Sequence, residues 1–236
     1  MTKDFGDVWN KVLIILGAIF LFLVIILGSF SLMIFYKGFY LQEYDKTGVY
    51  DDLSQKLSIT RPEAAMVAKN MTDNMFDFFH GTSELKYFTP DEKSHMKDVK
   101  FLMSEMNFVY YTSAIFFILI FVLLYLQFKK DALAFIDKLS KILYYGALAC
   151  LVFLAAFFLI CVFYFREFFI TFHLIFFPQG NWAFDSSSLL LALFHEQFFF
   201  DITLRIFIIA LIEAAVFFII GLWLRKNVKL HKKYHG

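Results

Sequence analysis

Two histidines stand in surroundings that suit acid–base chemistry. His95 has Asp91 four residues before it and Asp98 three after. On a helix both carboxylates reach the imidazole's side, and a nearby carboxylate orients the ring and favours its charged form. The same spacing also describes a histidine on a solvated, charged helix face. His173 lies in a different setting, Phe-Phe-Ile-Thr-Phe-His-Leu-Ile-Phe-Phe, followed by Pro178-Gln179-Gly180-Asn181, which is a turn. A lone histidine among aromatic residues is as readily a structural one. On that reading Asn181 and Asp185 are turn and cap residues.

Other polar groups carry weaker signals. Glu213 is a carboxylate inside an apolar run, which suggests a helix-packing role, a water cavity or a proton path. Arg205 is eight residues earlier, ~12 Å away along a helix. His195-Glu196 begins like a zinc-protease motif, but Phe199 stands where the second histidine belongs. His231 and His235 have a metal-compatible spacing in a lysine-rich tail, where a headgroup-facing role is expected. His80 reads as helix-end surface. Cys150 and Cys161 sit in one apolar run, ~16 Å apart along a helix, too far to bond, and read as buried apolar thiols. The sequence has no nucleophile elbow, Walker loop, Cys-x-x-Cys or dinucleotide fingerprint.

The elements that position these residues must be membrane helices. Apolar residues are 60% of the 236-residue chain, charged residues 18%, and phenylalanine alone supplies 35. Soluble domains sit nearer ~45–50% and ~25%, and a water-soluble fold of this size has no place for so much apolar surface. Lys+Arg is 22 against Asp+Glu 21, so no net charge draws the chain to nucleic acid. Four runs, 12–36, 108–128, 142–165 and 204–224, are long enough to cross a ~30 Å hydrocarbon core as helices. Continuous runs argue against the ~10-residue alternation of a β-barrel. The first is too long for a signal-peptide core and lacks an A-x-A-like end, so it reads as an uncleaved anchor. No internal repeat is present.

Lysine and arginine in short loops set the orientation. Lys3 and Lys11 lie in 1–11, four lysines in 129–141, and an acid-free basic cluster in 225–236, whereas 166–203 has only Arg166. Both termini are therefore expected in the cytoplasm. Segment 37–107 would form a small extracellular cap, and 166–203 an extracellular loop lying in the interface. The cap reads as helical. Thr60-Arg61-Pro62-Glu63 and Thr89-Pro90-Asp91-Glu92 are both capping boxes. The first starts a helix running to about Phe79, with Gly81 available to end it. Nothing breaks the chain from Pro90 to Phe128, so one helix should start in the cap and continue as the second span.

Taken together, Pro90-Asp-Glu-Lys-Ser-His95-Met-Lys-Asp-Val before the second span, then Phe172-His173-Leu, Asn181-Trp-Ala-Phe-Asp185 and Leu193-Phe after the third, resemble the lipoprotein intramolecular transacylase family of Gram-positive bacteria. The topological likeness covers the whole chain, and the specific motifs cover two short outward stretches. Ser186 and His195 stand where that family often carries proline, which bears on local turn geometry. The resemblance implies an all-α fold of four transmembrane helices with a helical cap, in the plasma membrane, and His95 and His173 as catalytic residues. It implies a diacylglyceryl lipoprotein substrate held among membrane lipids, with transfer of its sn-2 acyl chain to its own N-terminal cysteine amine. No cofactor or metal is implied. Asp98 or Asp91 would orient His95, Asn181 would face an oxyanion, and Trp182 and Phe184 would pack lipid or glyceryl, with Asp185 beside them.

Competing readings are a non-enzymatic assembly or regulatory protein, which predicts no cleft at the histidines, and a small carrier using Glu213. The catalytic reading also carries a geometric condition. If hydrocarbon begins at Phe108, a straight helix lifts His95 ~20 Å above it; if it begins near Phe101, ~9 Å. The pairing needs the lower placement, and needs the two imidazoles within ~12 Å of each other.

Overall fold

The computed structural model describes residues 2–235, and side chains from Gly6 to Tyr234. The side chains of Lys3 and His235 lie outside the described residues. Among them the chain forms α1 (Thr2–Ile34), α2 (Lys37–Lys46), α3 (Val49–Leu57), α4 (Arg61–Phe79), α5 (Pro90–Phe128), α6 (Ala132–Phe176), α7 (Leu189–Leu193) and α8 (Glu196–His235). Four helices are long and apolar enough to cross a membrane: Gly6–Ile34, Pro90–Phe128, Ala132–Phe176 and Glu196–Tyr234. At 1.5 Å per residue α5, α6 and α8 run to roughly 60 Å, about twice a hydrocarbon core. Each therefore has a part that lies outside it. The charged end of α5 is Pro90–Lys100, which holds Asp91, Glu92, Lys93, Lys97, Asp98 and Lys100.

The capping boxes form as read. The Thr60 backbone N–H donates to Glu63 Oε2 (2.8 Å) and starts α4. The Thr89 N–H donates to Glu92 Oε2 (2.8 Å) and starts α5. Gly81, with φ +78°, follows the end of α4, a conformation that favours glycine.

Segment 166–203 differs from the expected loop. α6 continues through it to Phe176, with one residue of non-helical geometry, Tyr164 (φ −140°, ψ 34°), close to where the apolar run gives way to Arg166-Glu167. No glycine or proline lies in 147–177, and the break at Tyr164 interrupts the helix but does not end it. Pro178 does, because it excludes the α conformation from the residue before it. Gly180 (φ +79°) then closes a turn in which its N–H donates to Phe177 O (3.1 Å).

The chain divides into two compact units, one of Met1–Phe30, Met106–Phe158 and Phe207–Gly236, the other of Ser31–Glu105 and Leu159–Ile206. In the first, Leu21 and Ile25 of α1 pack with Leu143, Cys150 and Leu154 of α6 and with Ala210 and Ala214 of α8. Cys150 and Cys161 are buried free thiols, as expected. Close helix crossings rest on small residues, the usual device where lipid supplies no hydrophobic drive. A Cβ on Gly146 would lie 2.8 Å from the Ala18 carbonyl oxygen, and one on Gly221 2.7 Å from the Tyr144 nitrogen.

In the second unit, α2, α3 and α4 share a core of Phe39, Tyr44, Leu53, Ala68 and Met71, all essentially inaccessible. Phe198 of α8 joins it, 5.1 Å from Tyr40 and 5.6 Å from Phe39 between ring centroids. Lys46 ties α2 to α8, donating to Glu43 (2.8 Å) and Asp201 (2.7 Å).

The same unit contains a buried carboxylate with two tasks. Glu92 is 1% exposed. Oε2 closes the capping box of α5, while Oε1 accepts from Ser188 Oγ (2.5 Å) and from the Leu190 N–H (2.9 Å) at the start of α7. Burial alone would raise its pKa, but the bonds from Ser188, Leu190 and Thr89 outweigh that and hold the carboxyl below the usual range.

Two predictions follow from these contacts. Gly146→Leu and Gly221→Leu should each cost about 1–3 kcal/mol through the forced separation of helices. That loss reads as a lower melting temperature of the purified protein in detergent, with Gly6→Ala, which meets no neighbour, as the control that shows no loss. Glu92→Gln places an N–H against donors and should cost about 1–3 kcal/mol at neutral pH. Because the folded pKa is lowered, the stabilisation from Glu92 is full above its unfolded value and fades as pH falls below it. The Gln variant should therefore lose the corresponding acid-induced drop.

Candidate active site

One face of α5 gathers the site. Glu92, His95 and Asp98 are three residues apart and fall on one stripe of the helix. Glu92 holds the start of α7. Asp98 Oδ2 accepts from Gln179 Nε2 (2.7 Å) and Asn181 Nδ2 (2.6 Å), and Asn181 Nδ2 also donates to Ser94 Oγ (3.2 Å). The 177–188 segment is thus fastened to α5 on both sides of His95.

Between these fastenings the two imidazoles meet. Their ring centroids are 6.1 Å apart and their planes 27° from parallel, well inside the limit the spacing argument required. His95 is 7% exposed and His173 8%. Phe177 touches both, at 4.7 Å from His95 and 5.6 Å from His173. Phe184 packs on His95 (5.8 Å), while Phe169 (4.2 Å) and Trp182 (4.9 Å) pack on His173. Of the other phenylalanines in this stretch, Phe172 lies 5.6 Å from His173, and Phe176 is 48% exposed. Most of the aromatic excess around His173 therefore walls the histidine pair.

The hydrogen bonds fix one tautomer. His173 Nδ1 lies 2.7 Å from the Phe169 carbonyl oxygen, one turn back in α6. A carbonyl only accepts, so Nδ1 carries the proton and Nε2 keeps its lone pair. Burial holds His173 below the usual histidine range, against the opposing pull of that carbonyl. In His95, burial first and the neighbouring His173 second push the pKa down to about 4, against Asp98 and Asn181, which favour the charged ring. Both imidazoles are neutral at pH 7. Three buried polar atoms around them close no hydrogen bond: His95 Nδ1, Asn181 Oδ1 and Trp182 Nε1. A protein seldom leaves such atoms unpaired, because each costs about 1–3 kcal/mol. Their concentration beside two neutral imidazoles gives the site donors and an acceptor for a polar group in a largely apolar surround.

The remaining candidate residues sort clearly. Asp98, Asn181, Trp182 and Phe184 belong to the site. Asp98 acts on Asn181 and Gln179 by hydrogen bonding, and reaches His95 through charge. Asp91 is exposed on another side of α5. Asp185 is a turn residue, its Oδ1 accepting from the Ser187 N–H (2.8 Å). His195 faces Asp52 (3.4 Å), and His80 Nδ1 donates to the Phe76 carbonyl (2.7 Å). Glu213 accepts from Ser29 Oγ (3.4 Å) within the first unit. Sequence reasoning missed Gln179, Ser188 and the second role of Glu92. Gln179 stood in a recognised turn and Glu92 in a recognised cap, so each already had a local explanation that hid its long-range partner.

Residues 15–199 match the family model described as lipoprotein intramolecular transacylase Lit. Among solved structures, the membrane integral lipoprotein intramolecular transacylase Lit from Bacillus cereus is 18% identical, over 95% of this chain and 99% of that one, with a TM-score of 0.77. The same Bacillus cereus protein with a histidine-to-alanine mutation gives 18% identity, 98% and 100% coverage, and a TM-score of 0.76. At such identity these likenesses establish a shared fold. No curated protein sequence gives a significant match. The family match spans well over half of the chain, and so this multi-pass membrane protein belongs to the lipoprotein intramolecular transacylase family and acts as an acyltransferase on lipoproteins.

Proposed function

We propose that His173 and His95 carry an acyl shift within a diacylglyceryl lipoprotein, from the sn-2 glyceryl oxygen to the α-amino group of its N-terminal cysteine. The observation that supports it is the pair of neutral, near-parallel imidazoles 6.1 Å apart in an aromatic wall. In this reading His173 is the base. Its Nδ1 is tied to the Phe169 carbonyl, which leaves Nε2 to take a proton from the attacking amine. The amine nitrogen bonds to the ester carbonyl carbon. The tetrahedral oxyanion is met by His95 as a neutral N–H donor, while Asn181, whose amide N–H groups go to Asp98 and Ser94 and whose free Oδ1 only accepts, shapes the wall beside it. The bond to the sn-2 oxygen then breaks, and His173 returns its proton to the departing alkoxide. Protons balance, the product is the lyso-form with one N-linked and one O-linked chain, and no acyl-enzyme forms.

The low pKa of His95 bears on its role. A ring protonated only near pH 4 is rarely an imidazolium at neutral pH, which favours oxyanion donor over resting acid. Asp98 would position Asn181, and Trp182 and Phe184 would pack glyceryl and acyl groups. Both reacting groups belong to one molecule, so holding it folded supplies much of the rate. Ester-to-amide transfer runs downhill, so the reading invokes no cofactor.

The same proposal places both termini in the cytoplasm and the histidines on the extracellular side, with 12–36, 142–165 and 204–224 in the bilayer and the second span beginning near Phe101, the lower placement that the histidine pairing needs, so that the cap ends before it. Its support is the lysine asymmetry between short segments.

Two measurements test the mechanism. His173→Ala should lower acyl transfer by about 10²–10⁴-fold, and His95→Ala by about 10²–10³-fold. Fragment-ion mass spectrometry of a co-expressed lipoprotein reads this as loss of the N-acylated cysteine. Wild-type transfer by either variant would remove that histidine from the mechanism. The pH profile makes a second test. The substrate amine, with a pKa of ~7.7–8.0, should set the acid limb. Because both histidine pKa values are lowered, the second decade per pH unit that a protonating histidine adds should set in below the ordinary histidine range. A histidine of ordinary pKa would steepen it to two decades per unit below ~6.5.

A further inference from the structure

α1 and α6 cross closely where Gly17 and Ala18 meet Ile142 and Gly146. Beside that crossing, within the first unit, lies a groove of about 910 Å³. Its two walls are graded in the same direction. Along α1, Asp7 and Lys11 give way to Ile15, Ile19 and Phe22; along α6, Lys138 and Lys141 give way to Tyr145 and Ala149. Lys11 to Phe22 covers ~16 Å of helix. The small side chains of Ala18 and Ala149 leave the floor of the groove low. Its volume lies in the upper part of the range for small-ligand sites, roughly 300–1,000 Å³.

Charge selects the occupant. Lys11, Lys138 and Lys141 line one end against Asp7 alone. Asp137 stands nearby, 2.6 Å from Lys141, 3.8 Å from Lys138 and 3.9 Å from Lys232, so the region keeps a positive excess. Lysine ammoniums on flexible stems, at the end of an apolar trough, match a phosphate joined to an acyl chain. A zwitterionic lipid offers the same chain, but its own cation offsets the phosphate.

We propose that this groove binds one anionic phospholipid, its phosphate among Lys11, Lys138 and Lys141 and one acyl chain along Ile15, Ile19, Phe22 and Ala149. The site shares no residue with the histidine pair, and the proposal does not rest on the catalytic reading.

The test is native mass spectrometry of the full-length chain released from nanodiscs of equal phosphatidylglycerol and phosphatidylcholine with matched acyl chains. The expected result is one phosphatidylglycerol retained at least ~10-fold over phosphatidylcholine. Each ammonium contributes about fivefold near a membrane surface, so Lys11→Gln with Lys138→Gln should abolish the preference. Ala149→Trp, which fills the trough and keeps the charges, should lower retention as well. Melting temperatures check that the variants fold. Lys11 is exposed and Lys138 half-buried, so the glutamine pair keeps the test valid if the Trp variant does not fold. Equal retention of both lipids, or a preference that survives the glutamine pair, overturns the proposal. Displacement of the phospholipid by millimolar inorganic phosphate would also overturn it, since an anion site alone would then suffice.

Discussion

The site depends on one stripe of α5 carrying three different polar groups into a largely apolar surround. Glu92, His95 and Asp98 are buried or half-buried on the same face, and each meets the 173–190 region in its own way. A carboxylate buried to 1% exposure needs several donors to stay ionised. Glu92 finds them at the starts of two helices, where N–H groups are otherwise orphaned. That bond closes one side of the 177–188 segment, and Asp98 closes the other. His95, between them, has little choice but to face His173.

Docking the segment this way dries the site, and dryness sets its chemistry. Phe177, Phe184, Phe169 and Trp182 take water's place around the two rings, which makes the charged imidazole costly. Proximity adds to it, since two imidazolium ions 6.1 Å apart repel. Both rings stay neutral, as a proton shuttle between an amine and an alkoxide requires. The Phe169 carbonyl supplies what neutrality alone does not, a defined tautomer. His95 lacks such a partner at Nδ1, and so does Asn181 at Oδ1, which leaves both available to a substrate's polar group.

Much of this was legible in the sequence because it is local. Capping boxes at Thr60 and Thr89 gave the starts of α4 and α5, and uninterrupted apolar runs gave the membrane helices. Pairing His95 with His173 was not local, and it came from a resemblance carried by a few short motifs. The expected end of the third apolar run at 165 falls beside the break at Tyr164, but the helix resumes to Phe176, which polar residues alone do not forbid. The first residue after Gly146 that forces the chain out of a helix is Pro178. The long-range halves of Glu92 and Asp98 could not be seen, because the sequence gives no spacing between residue 92 and residue 188. Asp91 was indistinguishable from Asp98 by distance to His95, and only the docking of 177–188 decided which of them faces the site.

The central claim is that His173 Nε2 receives the proton of the substrate amine while His95 faces the ester oxygen. A structure bound to a lipopeptide whose sn-2 ester is replaced by a ketone, with the cysteine amine free, tests it most directly. The account predicts the amine nitrogen ~2.6–3.2 Å from His173 Nε2, with the ketone oxygen towards His95. A bound analogue whose amine lies against other side chains, with both imidazoles turned away from the carbonyl, would contradict it.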